Sequence, residues 1–216
     1  MVVDLKEFAK QQFKAAQRPT AWLLSAERLR DAADAILKHE LPAEIPYFEA
    51  HKIAEEEAVA DAYSDGNDAG VAEIKAIPPN YPPAQLMYAY AIENVLKGLI
   101  VSKQPDLIQE RELDGELATH NLIKLAEKAE FMVHVRERPV LEALSQLSIW
   151  AGRYPVARTR REFVGTPNAD ELLDYGSAHP IMRMFFERAH KELESRLPQQ
   201  IGSRFGSLVV TRQPGT

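Results

Sequence analysis

Apolar positions recur at helical spacing along most of the chain, and two stretches carry the pattern most strongly. From Ala84 to Ser102 nearly every position is apolar, with Gln85, Glu93, Asn94 and Lys97 as the principal polar exceptions. A helix apolar all round is normally buried on every side, so this segment is expected at the centre of the fold. From about Ile181 to Leu197, the residues Met182, Phe186, Ala189, Leu193 and Leu197 repeat at spacings of three and four, with Arg183, Glu187, His190 and Glu194 opposite. That is the signature of an amphipathic helix. Between these two, a helix beginning near Thr119 turns Leu122, Leu125, Ala126 and Ala129 inward. Pro139 opens another, with Leu141, Leu144, Leu147 and Ile149 apolar, ending at Trp150 to Pro155.

Towards the N-terminus two helices are expected on either side of Arg18-Pro19-Thr20, the proline starting the second and Thr20 capping it. Leu29, Ala33, Ile36 and Leu37 share one face of the second helix. Leu41-Pro42 and Ile45-Pro46 should then interrupt it, because a proline removes a helical hydrogen bond and restricts its predecessor. His51 to Tyr63, acidic and alanine-rich, reads as a separate surface helix. Ser64 to Gly70 is acidic and glycine-containing but lacks the alternating ligands and terminal Glu of a calcium loop. Ile77 to Pro83 holds four prolines in seven residues, so it is expected to be an extended connector rather than helix.

With no strand pattern and no internal repeat, the fold class is all-α: an up-and-down helical bundle with an N-terminal helical extension. The expected division is 1–76 for the N-terminal helices and acidic segment, 77–83 for the proline-rich connector, 84–200 for the bundle, and 201–216 for a tail. A chain of 216 residues suits one domain, and 45% hydrophobic with 27% charged residues is an ordinary globular mixture. The absence of cysteine excludes disulfides, thiolate metal sites and a cysteine nucleophile. No metal-ligand spacing or cofactor motif stands out. The net charge of −6 argues against broad electrostatic binding to nucleic acid, although Arg158 to Arg161 forms a local basic stretch. No apolar run reaches membrane-span length and the first residues are charged throughout, so a cytoplasmic protein without a membrane segment is expected.

Several residues carry candidate chemistry. Glu93 and Lys97 lie one turn apart on the most apolar helix, where they form either a salt bridge at the domain edge or the lining of a polar pocket. His120 and Asn121 stand at a helix start, which suits capping by Asn121 and, for His120, either a structural role or proton transfer near neutral pH. Arg153 and Tyr154, in a glycine- and proline-bounded turn, offer a phosphate-binding guanidinium and a stacking ring, or else an anchor for the turn. Arg183 and His190 lie seven residues apart on one helical face.

The segments YAYAIENVLKGLIV (88–101), ATHNLIKLAEKA (118–129) and LSIWAGRYPVAR (147–158), in this order and spacing, resemble the HEPN superfamily of small helical bundles over roughly residues 84–163. The resemblance implies a four- or five-helix bundle and frequent homodimerisation. It also implies a role in toxin–antitoxin, defence or RNA-processing systems, either as a metal-independent endoribonuclease or as a catalytically inactive binder of RNA, nucleotides or a partner protein. In active relatives an arginine and a histidine with four to six residues between them do the chemistry. Arg183 and His190 are the matching pair here, with Glu93, Lys97, His120, Asn121, Arg153 and Tyr154 as a second, binding pocket and no metal or cofactor. The alternative expectation is a non-catalytic helical protein-interaction module.

Overall fold

The computed structural model describes residues 5–65, 70–151 and 175–197. Among these, all regular structure is helical: α1 (Leu5–Ala16), α2 (Pro19–Asp65), α3 (Pro82–Lys103), α4 (Leu122–Lys128), α5 (Arg138–Gln146) and α6 (Tyr175–Arg196). A 3₁₀ turn at Pro105–Leu107 follows α3, and α5 runs into a π-helical turn at Leu147–Ala151. The all-α class expected from the periodicity is therefore found.

The centre is α3, which packs against α2, α4, α5, α6 and the π-helical turn. Fourteen of its 22 residues are buried, as its uniform apolarity requires. Its partners contribute Leu23, Ala26, Ala33 and Leu37 from α2, Leu122 and Leu125 from α4, Leu141 and Leu144 from α5, and Met182, Phe186 and Leu193 from α6 to one continuous core. Gly98 is where three of these helices meet. A Cβ there would stand 2.5 Å from Leu193 Cδ2 and 3.1 Å from Trp22 Cβ, so the absence of a side chain sets how closely α2 and α6 approach α3.

The start of α5 is tied to α6 by Glu137, whose carboxylate accepts from His134 N and takes both 2.7 and 2.8 Å contacts from Arg188. The Arg188 guanidinium lies 4.6 Å from the Phe131 ring centre, a charge-paired and stacked arrangement that a lysine would not reproduce.

Helix boundaries differ from expectation chiefly at prolines. The interruptions expected at Leu41-Pro42 and Ile45-Pro46 do not occur: α2 is one helix of 47 residues, with both prolines inside it, a rod about 70 Å long. Pro42 and Pro46 are exposed and one turn apart, so the carbonyls of Lys38 and Pro42 that lose their helical donors lie on an exposed side of the helix. The connector after the turn also runs back along α2. A Cβ on Gly70 would collide with the backbone of Ala58 and Ala62, and Asn80 N donates to Glu40 Oε2 at 2.7 Å. His51 to Tyr63 is thus the last third of α2, not a separate helix. Thr20 lies in the first turn of α2 and not at the N-cap, because Pro19 is already helical. Pro82 and Pro83 open α3 rather than precede it, at the positions whose N–H groups have no helical acceptor. The last helix starts at Tyr175 and carries an exposed Pro180 in its second turn.

Candidate functional site

On α3, Glu93 and Lys97 are both only 5% exposed, yet both are charged. Their i,i+4 spacing places Lys97 Nζ 2.6 Å from Glu93 Oε1, and the ammonium lies 5.8 Å from the centre of the Trp22 ring on α2. The second carboxylate oxygen, Glu93 Oε2, is 2.8 Å from His120 Nδ1. One buried carboxylate therefore bridges a buried lysine and a histidine whose side chain is 43% exposed. A carboxylate only accepts, so Nδ1 donates in this contact, and in the neutral tautomer that fits it the lone pair is at Nε2. A carboxylate fixing the tautomer and direction of an imidazole is the arrangement that prepares a histidine for proton transfer or for donating to an anion.

The segment carrying His120 is held at several points. Asn121 is the N-cap of α4, accepting from Lys124 N at 2.9 Å, and its own N–H donates to Thr119 Oγ1. Leu122 N donates to Ser145 Oγ at 3.0 Å, and that hydroxyl donates in turn to Leu141 O on α5. Ser148 Oγ closes the series on Ser145 O. The π-helical turn that follows packs on α3. Arg153 and Tyr154 lie outside the described residues.

His190 belongs to a different place, the groove between α2 and α6, while Arg183, two turns away on the same helix, is not part of its lining. This groove has a volume of about 370 Å³ and is lined by Leu24, Glu27, Arg30, Asp31, Phe186, Glu187 and His190. His190 is not on a freely solvated face: its side chain is 18% exposed, Nε2 is 2.8 Å from Glu27 Oε1, and its ring lies 5.7 Å from that of Phe186. Arg183 is more than half exposed and pairs with Glu187 at 3.7 Å. Arg30 stacks on Phe186 at 5.5 Å while binding Asp31 at 2.8 Å and approaching Asp34 at 3.6 Å. Three carboxylates thus line a groove in which the cations are already paired, so its field offers a phosphate little net attraction.

Behind the groove, Tyr88 OH donates to Asp34 Oδ1 at 2.5 Å, and burial above all, reinforced by Asp34, pushes its hydroxyl far above the ordinary tyrosine range. The His179 ring lies edge-on to Tyr88 at 5.5 Å, and burial lowers its pKa.

The candidate pocket residues Glu93, Lys97 and His120 are therefore brought together, Asn121 is taken up as the cap of α4, and Arg183 and His190 share a helix face beside another groove. Trp22, Ser145 and Glu27 had no signal in the sequence: each is an ordinary residue made relevant by a contact 23 or more positions away. No protein-family model, no curated protein and no solved structure matches the chain. The class that can be stated is an all-α bundle whose central helix carries a buried Lys–Glu pair joined to a half-exposed histidine. Among the described residues no group of three or more acidic or histidine side chains is placed to hold a metal ion, and no helix is long and apolar enough to cross a membrane.

Proposed function

We propose that the protein is a HEPN-like RNA- or nucleotide-binding protein whose phosphate-recognising group is His120, oriented by the buried Glu93–Lys97 pair. The observation that carries the reading is the bridging carboxylate. A lysine and a glutamate kept on an otherwise apolar, fully packed helix are costly to desolvate, and here their arrangement ends on a half-exposed imidazole. When His120 is protonated the array carries one net positive charge and presents an N–H at Nε2, which is suited to a single phosphate. With a chain charge of −6 and acidic residues along α2, affinity comes from one such contact and not from a track of neutralised phosphates. A nucleotide, or the end of an RNA, fits this better than a long backbone. The resemblance also carries a homodimer into this reading.

A second reading, a metal-independent endoribonuclease with Arg183 and His190 at its centre, is favoured by one contact: Glu27 holds the His190 imidazole in a fixed direction beside the α2–α6 groove. Fluorescence anisotropy of a labelled oligoribonucleotide, with ATP as competitor and chelator throughout, separates the two. The first reading expects binding weakened about tenfold or more by His120→Ala and unchanged by Arg183→Ala, with a shallow salt dependence. Chelator-resistant cleavage abolished by Arg183→Ala and by His190→Ala supports the second. Absence of any RNA or nucleotide binding by the folded wild type refutes both.

A further inference from the structure

The distal half of α2 carries a feature that the phosphate site does not use. No α2 residue beyond Leu37 belongs to the core, and the only one that is buried there, Ala54, lies on the side followed by the returning connector. On another side Leu41, Ile45, Phe48, Val59 and Tyr63 are all exposed, Ile45 at 70%, Phe48 at 60% and Tyr63 at 85%. Their spacings of four, three, eleven and four residues place them within a narrow stripe along the helix, since eleven residues complete about three turns. The stripe is about 33 Å long, from 22 residues at 1.5 Å each, and is interrupted midway by Lys52, which pairs with Glu56 at 3.9 Å. It is an apolar face that no other described residue covers.

Charge decides what fits it. Between Leu41 and Tyr63 there are six acidic residues and one lysine, with Glu44 and Glu55 on one flank of the stripe and Glu49 and Glu56 on the other. An antiparallel second copy of this same stripe would set carboxylates against carboxylates, which costs affinity. A helix with a matching apolar stripe and lysines or arginines on both flanks would bury the apolar side chains and pair the glutamates at once. The chain's own α1 is amphipathic with three lysines, but it lies at the far end of α2, where Lys10 and Lys14 bind Glu110.

We propose that residues 41–63 of α2 form a docking face for a basic amphipathic helix of a second protein. The prolines suit this role. Pro42 and Pro46 sit beside the stripe without a helical N–H to offer, and the returning connector braces another side of the helix, so the face is presented pre-formed.

The test uses the full chain and a synthetic helical peptide of about 20 residues, long enough for the stripe at 1.5 Å per residue, with leucines at helical spacing and lysine flanks. Anisotropy of the labelled peptide should report saturable binding that weakens with salt. It should be lost about tenfold or more in the Ile45→Glu/Phe48→Glu variant, whose circular dichroism and RNA binding match the wild type. A scrambled peptide of equal charge should bind about tenfold more weakly. Equal binding of the scrambled peptide, or unchanged binding to the variant, overturns the proposal. So does light scattering that finds a wild-type dimer converted to monomer by the same variant, since a second copy would then occupy the face.

Discussion

The buried Glu93–Lys97 pair makes a demanding prediction, because the cost of removing one charge differs in kind from the cost of removing both. Glu93→Leu leaves the Lys97 ammonium with the Trp22 ring as its remaining close partner, at 5% exposure. Stranding a buried charge costs about 3–5 kcal/mol, a large share of a total stability of about 5–15 kcal/mol. For a chain of this length it corresponds to a fall in Tm of about 6–20 °C, at about 2–4 °C per kcal/mol. Lys97→Met is expected to cost less, because Glu93 keeps His120 at 2.8 Å as a partner. The double variant Glu93→Leu/Lys97→Met removes both charges with side chains of similar volume and should recover the wild-type Tm to within about 1 kcal/mol, or exceed it. Urea denaturation followed by circular dichroism, with the four proteins compared as a cycle, gives the coupling. Additive single costs below about 1 kcal/mol each would mean that the pair is solvated, and the argument from burial would fail. The double variant also separates fold from function: a protein as stable as wild type that no longer binds RNA or nucleotide has lost a site and not a scaffold.

Three further outcomes follow from local geometry. Gly98→Ala should destabilise by about 1–3 kcal/mol through overpacking against Leu193, and the cost of Gly98→Ala/Leu193→Ala should be smaller than the sum of the singles when measured by thermal melts. Asn121→Ala should cost about 0.5–2 kcal/mol by removing the α4 cap, seen as faster hydrogen exchange in the first turn of that helix. Burial lowers the pKa of His179, while Asp34 raises and Arg183 lowers it further. The folded state therefore disfavours its protonated form, and stability should fall as pH drops below the ordinary histidine value of about 6.5. His179→Gln should flatten that part of the urea-midpoint profile relative to wild type, and identical profiles would remove His179 as a contributor.

What could be read from the sequence was whatever a single helix encodes by spacing. The central position of α3, the inward stripes of α4 and α6, the Asn121 cap and the Glu93–Lys97 turn are all local, and the structure has them where periodicity puts them. The continuous passage of α2 through Pro42 and Pro46 was not legible, because it depends on which way the prolines face and on a connector folding back from forty residues later. The third member of the array, His120, was expected beside Glu93 and Lys97 only through the resemblance and not through any local pattern. His120 meets Glu93 across 27 residues and His190 meets Glu27 across 163, and no spacing rule reaches that far. The seven-residue interval between Arg183 and His190 predicts a shared face correctly. It says nothing of the carboxylates that α2 brings to that face.

The placement of Glu93 and Lys97 on successive turns of one helix bears on how the protein assembles. A pair drawn from two distant elements would have to lose water one ion at a time as the chain collapsed. Here the partners are neighbours as soon as α3 forms, and helix formation takes about a microsecond or less. The segment therefore enters the nascent core as a neutral dipole, and the slower docking of α2, α4 and α6 around it meets no bare charge. Only the approach of His120 waits for tertiary structure, so the array is complete only once the segment before α4 docks on α3.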